Sequence, residues 1–142
     1  MNRKRGLLVK SSSVRRIVVI LLSLIFIIAI GLLTKLYGGP GQNWVNHSLG
    51  GVFYEIFFCL VITLFFPAAP PLKIAASVFL GTSIVEFLQL YHPSWLEFWR
   101  GYWLGRTLLG TTFSVWDFPH YLLGCLLGCL WIYGLDCYFN SR

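Results

Sequence analysis

Glu55, Glu86, Asp117 and His120 are the side chains of this sequence whose chemistry calls for an explanation. Carboxylates beside an imidazole can perform acid–base work, and Asp117 lies three residues before His120, close enough on a helix to orient its ring. Gln89 follows Glu86 by three residues. Arg106 sits in the glycine-punctuated stretch Gly105-Arg-Thr-Leu-Leu-Gly110. An arginine fork matches a carboxylate at two points, so Arg106 is expected to reach Glu86 or Asp117. A nucleophile motif, a zinc-ligand set and a phosphate-cradling loop are absent from the sequence. Binding is therefore favoured over catalysis. The expected ligand-binding residues are Glu55, Glu86, Gln89, Arg106, Asp117 and His120, with no catalytic residue, no metal ligand and no cofactor.

Each of these groups is embedded in or beside apolar sequence, and that fixes where it must face. A carboxylate at the centre of a lipid-facing helix costs about 2.5–3.5 kcal/mol on insertion scales, so it turns inward or lines a cavity. The spacing supplies such faces. His47, Gly51, Glu55 and Cys59 are four apart and form one helical stripe. Ser83, Glu86 and Gln89 are three apart, with Thr82 beside them. Asp117, His120, Gly124 and Gly128 share a third face, and Gly124-x-x-x-Gly128 permits close helix packing. Glu55 and Glu86 fall at matching depths, roughly 7–8 Å from the same membrane edge at about 1.5 Å per residue. The same faces can instead lock helices together by a polar network alone.

The elements that carry these faces are membrane spans. The 142 residues are 57% hydrophobic and only 11% charged, with a mean hydropathy of +0.73. Soluble domains carry roughly 25% charged residues. A soluble domain, a disordered chain and a nucleic-acid binder are thereby excluded. Four apolar runs predict spans at about 17–36, 50–66, 72–91 and 118–139, within a single membrane domain over 1–142 and behind a basic cytoplasmic tail over 1–13. Each run approaches the roughly 20 helical residues that a bilayer core requires. No strand-like alternation supports a barrel. The first run exceeds the apolar length of about 7–15 residues usual in a signal peptide, so it reads as an uncleaved anchor.

The basic residues set the direction. With the N-terminus inside, Arg3, Lys4, Arg5, Lys10, Arg15, Arg16, Lys73 and Arg142 lie on the inner side, against Lys35, Arg100 and Arg106 outside. The positive-inside rule then places both termini in the cytoplasm. Pro67-Ala-Ala-Pro70-Pro71 reads as a stiff inner turn between spans two and three, and Tyr37 to Trp44 as a turn-rich outer loop. In the second outer loop, Trp95, Trp99 and Tyr102 follow helical spacing. This predicts one short helix over Ser94 to Leu104, lying on the membrane interface. Cys59, Cys125, Cys129 and Cys137 show neither metal-ligand spacing nor a disulfide framework and read as packing residues. The expected fold is an all-α membrane protein: a bundle of four transmembrane helices with a short interfacial helix in the outer loop between spans three and four.

Several of these stretches are also similar to a known family. Gly50-Gly-Val-Phe-Tyr-Glu55, Glu86-Phe-Leu-Gln89-Leu-Tyr-His-Pro93, Leu104-Gly-Arg-Thr-Leu-Leu-Gly-Thr-Thr-Phe113 and Trp116-Asp-Phe-Pro-His-Tyr121 resemble a family of small bacterial membrane proteins known as a domain of unknown function. Some of its members carry a ribosome-maturation-type name. More distantly, Glu86-x-x-Gln89 followed by Arg106, Asp117 and a glycine-rich last helix is similar to the VanZ-like membrane proteins linked to teicoplanin resistance. The resemblance implies about four spans in a bacterial inner membrane and implies no reaction.

The expectation is an accessory or binding protein with a polar pocket open to the outer leaflet, roofed by the aromatic loop. The pocket would hold a lipid headgroup or an envelope partner. Membrane lipids and other membrane proteins are the expected partners, and nucleic acid is not. The competing readings are an enzyme acting on envelope lipids, a structural subunit of a larger complex and a proton-coupled carrier. The carrier suffers because the inner halves of the spans hold little that is polar beyond Thr63, Ser77 and Asp136.

Overall fold

The structure, a computed structural model, describes residues 2–110 and 112–140, with side chains from residue 13 onward except those of residues 47, 107 and 140. The side chains of Arg3, Lys4, Arg5, Lys10 and His47, and the whole of Arg142, lie outside the described residues. Among the described residues every regular element is helical. They are α1 (Asn2–Leu36), α2 (Gln42–Trp44) leading through a π-helical turn (Val45–Leu49) into α3 (Gly50–Phe65), α4 (Pro71–Leu88), α5 (Ser94–Arg100), α6 (Trp103–Leu109) and α7 (Asp117–Asn140).

Three of these helices are long and apolar enough to cross a membrane: Ser13–Leu36 within α1, Pro71–Leu88, and Asp117–Phe139 within α7. The protein is thus a helical membrane protein. The expected second span is the exception, because α3 itself has 16 residues. The helical path nevertheless begins earlier than expected. Gln42, Asn43 and Trp44, read as loop from their polarity and the preceding Pro40-Gly41, already wind as helix. Gly41 starts that path with a left-handed φ of 74°. A π turn loosens the hydrogen-bond ladder, and Lys35 Nζ donates to the Asn46 carbonyl within it, 2.5 Å away.

α3 and α7 form the centre of the bundle. α1 packs on α3, and α4 packs on both α7 and α3. Two glycines explain the central pairing. A Cβ at Gly124 would stand 2.6 Å from both Glu55 Cβ and the Val52 carbonyl oxygen, and one at Gly128 would stand 2.9 Å from Cys59 Cβ. The bare backbone of α7 therefore lies directly on α3, as a small-x-x-x-small face allows. Ile20, Leu24, Ile27, Ile56, Leu60, Ile74, Val78 and Ile132 fill the remaining core. Large apolar side chains such as Leu22, Ile25, Leu33, Leu80, Ile84 and Leu130 face outward. Contiguous apolar surface on this scale suits lipid rather than water as the surrounding solvent.

The two ends of the bundle are chemically different. At one end Arg16 Nη2 pairs with Asp136 at 2.7 Å while Nη1 donates to the Pro67 carbonyl at 3.1 Å. This fork ties α1, the proline turn and the last turns of α7 together. Proline at the first position of α4 starts that helix without losing a hydrogen bond. The polar residues singled out above gather towards the opposite end.

Candidate functional site

Glu86, in the last turn of α4, is 1% exposed. Its carboxyl group accepts from the Ser114 backbone N–H at 2.8 Å, the Tyr121 hydroxyl at 2.8 Å and the Gln89 amide nitrogen at 3.0 Å. One side chain thus joins α4, the segment before α7, and α7 itself. Phe87, Phe113 and Phe118 pack edge to face and tilted around this point, with Phe118 continuing to Tyr121. Arg106 is not the partner of Glu86. It stays exposed on α6, and among the described residues the ion pairs are Arg16–Asp136, His92–Glu97 and Arg100–Glu97. Neutral donors fill the buried carboxyl, which spares the guanidinium the cost of leaving water.

Glu55 lies deeper, at 0% exposure between α3 and α7. Its Oε2 accepts from the Cys125 thiol at 3.1 Å, and its Oε1 has no partner. Cys125 thus has a polar contact beyond its packing. His120 turns elsewhere. Its Nδ1 donates to the Trp116 carbonyl at 2.7 Å, and its Nε2 accepts from the Trp44 indole at 3.2 Å. The carbonyl can only accept and the indole can only donate, so the two partners fix the tautomer. Both ring nitrogens are spent, and the expected pairing of Asp117 with His120 as an oriented base is not formed. Trp44 lies 76 residues away in sequence, so no spacing rule could have signalled it.

The segment between α4 and α7 holds two short helices where one was expected over Ser94 to Leu104. The chain breaks at Gly101 and Tyr102, whose backbone is extended with ψ 147°. It then doubles back so that a Cβ at Gly105 would overlap the Trp99 carbonyl, which only glycine avoids. Leu96 and Arg100 form the buried face of α5, while Trp95, Phe98 and Trp99 are exposed. Arg100 is 3% exposed and does structural work. It donates to the carbonyls of Leu88 at 2.9 Å and Tyr91 at 3.1 Å, capping the end of α4, and to Glu97 Oε1 at 2.8 Å. His92 Nδ1 lies 2.8 Å from the same oxygen. The His92 contact first, and Arg100 second, hold the exposed Glu97 carboxyl below its ordinary pKa.

Together these pieces wall a cleft of about 490 Å³. Gly50, Gly51 and Tyr54 supply the α3 side; Thr82, Val85 and Gln89 the α4 side; Asp117 and Tyr121 the α7 side. Trp103, Arg106, Leu108, Gly110 and Thr112 close it from the connecting segment, and Lys35 reaches it from the last turn of α1. The Tyr54 hydroxyl donates to the Leu108 carbonyl at 3.0 Å, which fastens α6 over α3. Of the six expected residues, Gln89, Arg106 and Asp117 line this cleft. Glu86 stands behind its wall through Tyr121 and Gln89. Glu55 lies in the α3–α7 contact, and His120 faces Trp44. Lys35, Tyr54 and Tyr121 were missed as site residues. Tyr121 was legible in principle, four residues after Asp117 and three before Gly124.

Helices able to cross a membrane, a polar cleft at one end and an aromatic segment beside it define a helical integral membrane protein. The chain belongs to DUF2809, a family described as a protein of unknown function, whose model matches residues 40–125. The matched stretch holds every cleft residue except Lys35. No curated protein and no solved structure matches the chain.

Proposed function

We propose that the protein is a single four-span domain of the bacterial inner membrane, with both termini in the cytoplasm, whose outward-facing cleft binds the polar headgroup of an envelope lipid in an accessory role. The continuous helical path from Gln42 to Phe65 supports the fourth span. At about 1.5 Å per residue it is roughly 35 Å long, enough for a hydrocarbon core of about 30 Å. The excess of basic residues on the Arg16 side supports the orientation.

The observation that carries the binding role is the cleft itself. Lys35, Arg106 and Asp117, from three different elements, line one opening together with exposed Trp103. Indole rings favour the headgroup level, where such a cleft meets phosphate and amine groups. Native mass spectrometry of protein released from mild detergent tests this. Wild type is expected to retain bound lipid, and Arg106→Gln to retain clearly less. Equal lipid retention by the two, or none in wild type, would overturn the role.

A second reading, a structural subunit of a larger complex, draws on Glu86. Its carboxyl is fully occupied by internal donors and serves to lock α4, α7 and the segment between them. A constant co-purifying protein would favour that reading. Catalysis on envelope lipids has less support, because His120 is committed to Trp44 and Trp116.

A further inference from the structure

We infer that the cleft takes an anionic phosphate ester that carries no cation of its own, in preference to a zwitterionic headgroup. This rests on the cleft being a headgroup site and adds the charge class of the headgroup it accepts. The bonding capacity that the wall leaves to a ligand sets the choice. Its hydroxyl donors are spent within the protein. The Tyr54 hydroxyl donates to the Leu108 carbonyl, the Tyr121 hydroxyl to Glu86 and the Thr82 hydroxyl to the Val78 carbonyl. A hydroxyl has one hydrogen to give, so these three have no donor left. The Gln89 amide is turned to Glu86 and sealed at 6% exposure. Asp117 already has an interaction within the protein and asks for no ligand.

Lys35 and Arg106 remain. Lys35 gives one N–H to the Asn46 carbonyl and keeps two. Its Cε and Nζ lie over the bare backbone of Gly50, 3.5 Å from where a Cβ would stand, so the ammonium is held beside the α3 wall. Arg106 lines the cleft from α6, is exposed, and forms no ion pair among the described residues. These two cations against Asp117 leave the wall with a net charge of +1. A phosphate without an attached ammonium brings the opposite charge and only acceptor oxygens at its reacting end, and a guanidinium can take two of those oxygens at once. A zwitterionic headgroup carries its ammonium a few bonds from the phosphate. Bound here, that ammonium sits close to Lys35 and Arg106, and their repulsion offsets the phosphate contact. Both wall cations are exposed to water, so the preference weakens as salt screens it.

The test uses the full-length protein in an uncharged detergent, titrated with dihexanoyl phosphatidylglycerol, phosphatidic acid, phosphatidylethanolamine and phosphatidylcholine, and with free glycerol phosphate. Binding is read by thermal shift and native mass spectrometry. The two anionic lipids are expected to bind about fivefold tighter than the two zwitterions, the worth of one charge pair about 4 Å apart in water. Arg106→Gln, checked for an unchanged melting temperature, is expected to weaken the anionic lipids about tenfold, the worth of a charge-assisted hydrogen bond, and to remove the preference. Arg106→Lys keeps the charge and is expected to keep the preference. Free glycerol phosphate binding as tightly as the lipids would keep the anion site and make its ligand a soluble ester. Equal binding of all four lipids, with Arg106→Gln weakening every one, would overturn the charge class and leave the cleft reading standing. A preference for anionic lipid that Arg106→Gln leaves intact would assign it to the basic Arg16 end of the bundle and overturn the inference. No binding of any lipid by folded wild type would overturn both.

Discussion

Alanine at Gly124 is expected to force α3 and α7 apart. The added Cβ would stand 2.6 Å from Glu55 Cβ, 2.6 Å from the Val52 carbonyl oxygen and 3.1 Å from Val52 Cα. Carbon atoms settle at about 3.5–4.0 Å, so the helices must separate by about 1 Å. All three crowded atoms lie at or next to the α3 backbone, and none is the flexible tip of a side chain that could swing aside. Overpacking of this kind costs about 1–3 kcal/mol. Alanine also gains up to about 1 kcal/mol of helix propensity over glycine, which would partly mask the clash. Gly134→Ala on the same helix supplies the control, because nothing lies within 4 Å of its added Cβ. The difference between the two variants isolates the packing cost. Reversible unfolding in mixed micelles with increasing dodecyl sulfate, followed by circular dichroism, measures it. Gly124→Ala is expected to be less stable than Gly134→Ala by about 1–3 kcal/mol. Equal stabilities would refute the close α3–α7 contact and with it the position of Glu55.

Tyr121→Phe removes one of the three donors to Glu86 and is expected to cost about 1.5–3 kcal/mol in the same assay; a neutral result would show that the hydroxyl bond is not made. Arg100→Met uncaps the end of α4 and frees Glu97, so limited proteolysis between residues 89 and 103 is expected to quicken, while an unchanged rate would contradict the capping role. The Glu97 carboxyl has a lowered folded pKa, so its ties to His92 and Arg100 are in force above the unfolded value of about 4.3 and fade only as the pH falls through the folded value. Tryptophan fluorescence of wild type is expected to change below about pH 4 and that of Glu97→Gln to change less; a transition at neutral pH lost in Glu97→Gln would contradict this.

Three of the four expected spans were legible because lipid imposes a coarse requirement, about 20 apolar residues, that composition alone reveals. The Pro67 to Pro71 turn and the glycine face of α7 were legible for the same reason, since proline and glycine carry their geometry locally. The start of the α3 path was not. Gln42 and Asn43 are polar and follow Pro40-Gly41, and the helix there is sustained through a π turn that Lys35 helps to satisfy. The partners of Glu86 were hidden for another reason. Ser114 contributes its backbone N–H, a donor that almost every residue carries and no side-chain pattern marks. The glycine-punctuated stretch around Arg106 pointed to that residue as the cation reaching Glu86 or Asp117, whereas the cation buried against α4 is Arg100. A signal for Arg100 was present, since it stands three residues after Glu97 on one helix face. Shared depth placed Glu55, Glu86 and Asp117 near one end of the bundle, but depth does not tell a residue that opens to a cleft from one sealed behind it.

Thr112 stands exposed at the cleft, and a single cysteine there tests the central claim most directly. The background replaces Cys59, Cys129 and Cys137 by alanine and Cys125 by serine, which keeps a hydroxyl donor for Glu55. Intact cells are treated with a membrane-impermeant maleimide, with and without prior permeabilisation of the inner membrane. Labelling of Thr112→Cys in intact cells, slowed by added short-chain phospholipid in the purified protein, is the expected result for an outward-facing headgroup cleft. Labelling only after permeabilisation, or labelling that phospholipid leaves unchanged, would contradict it.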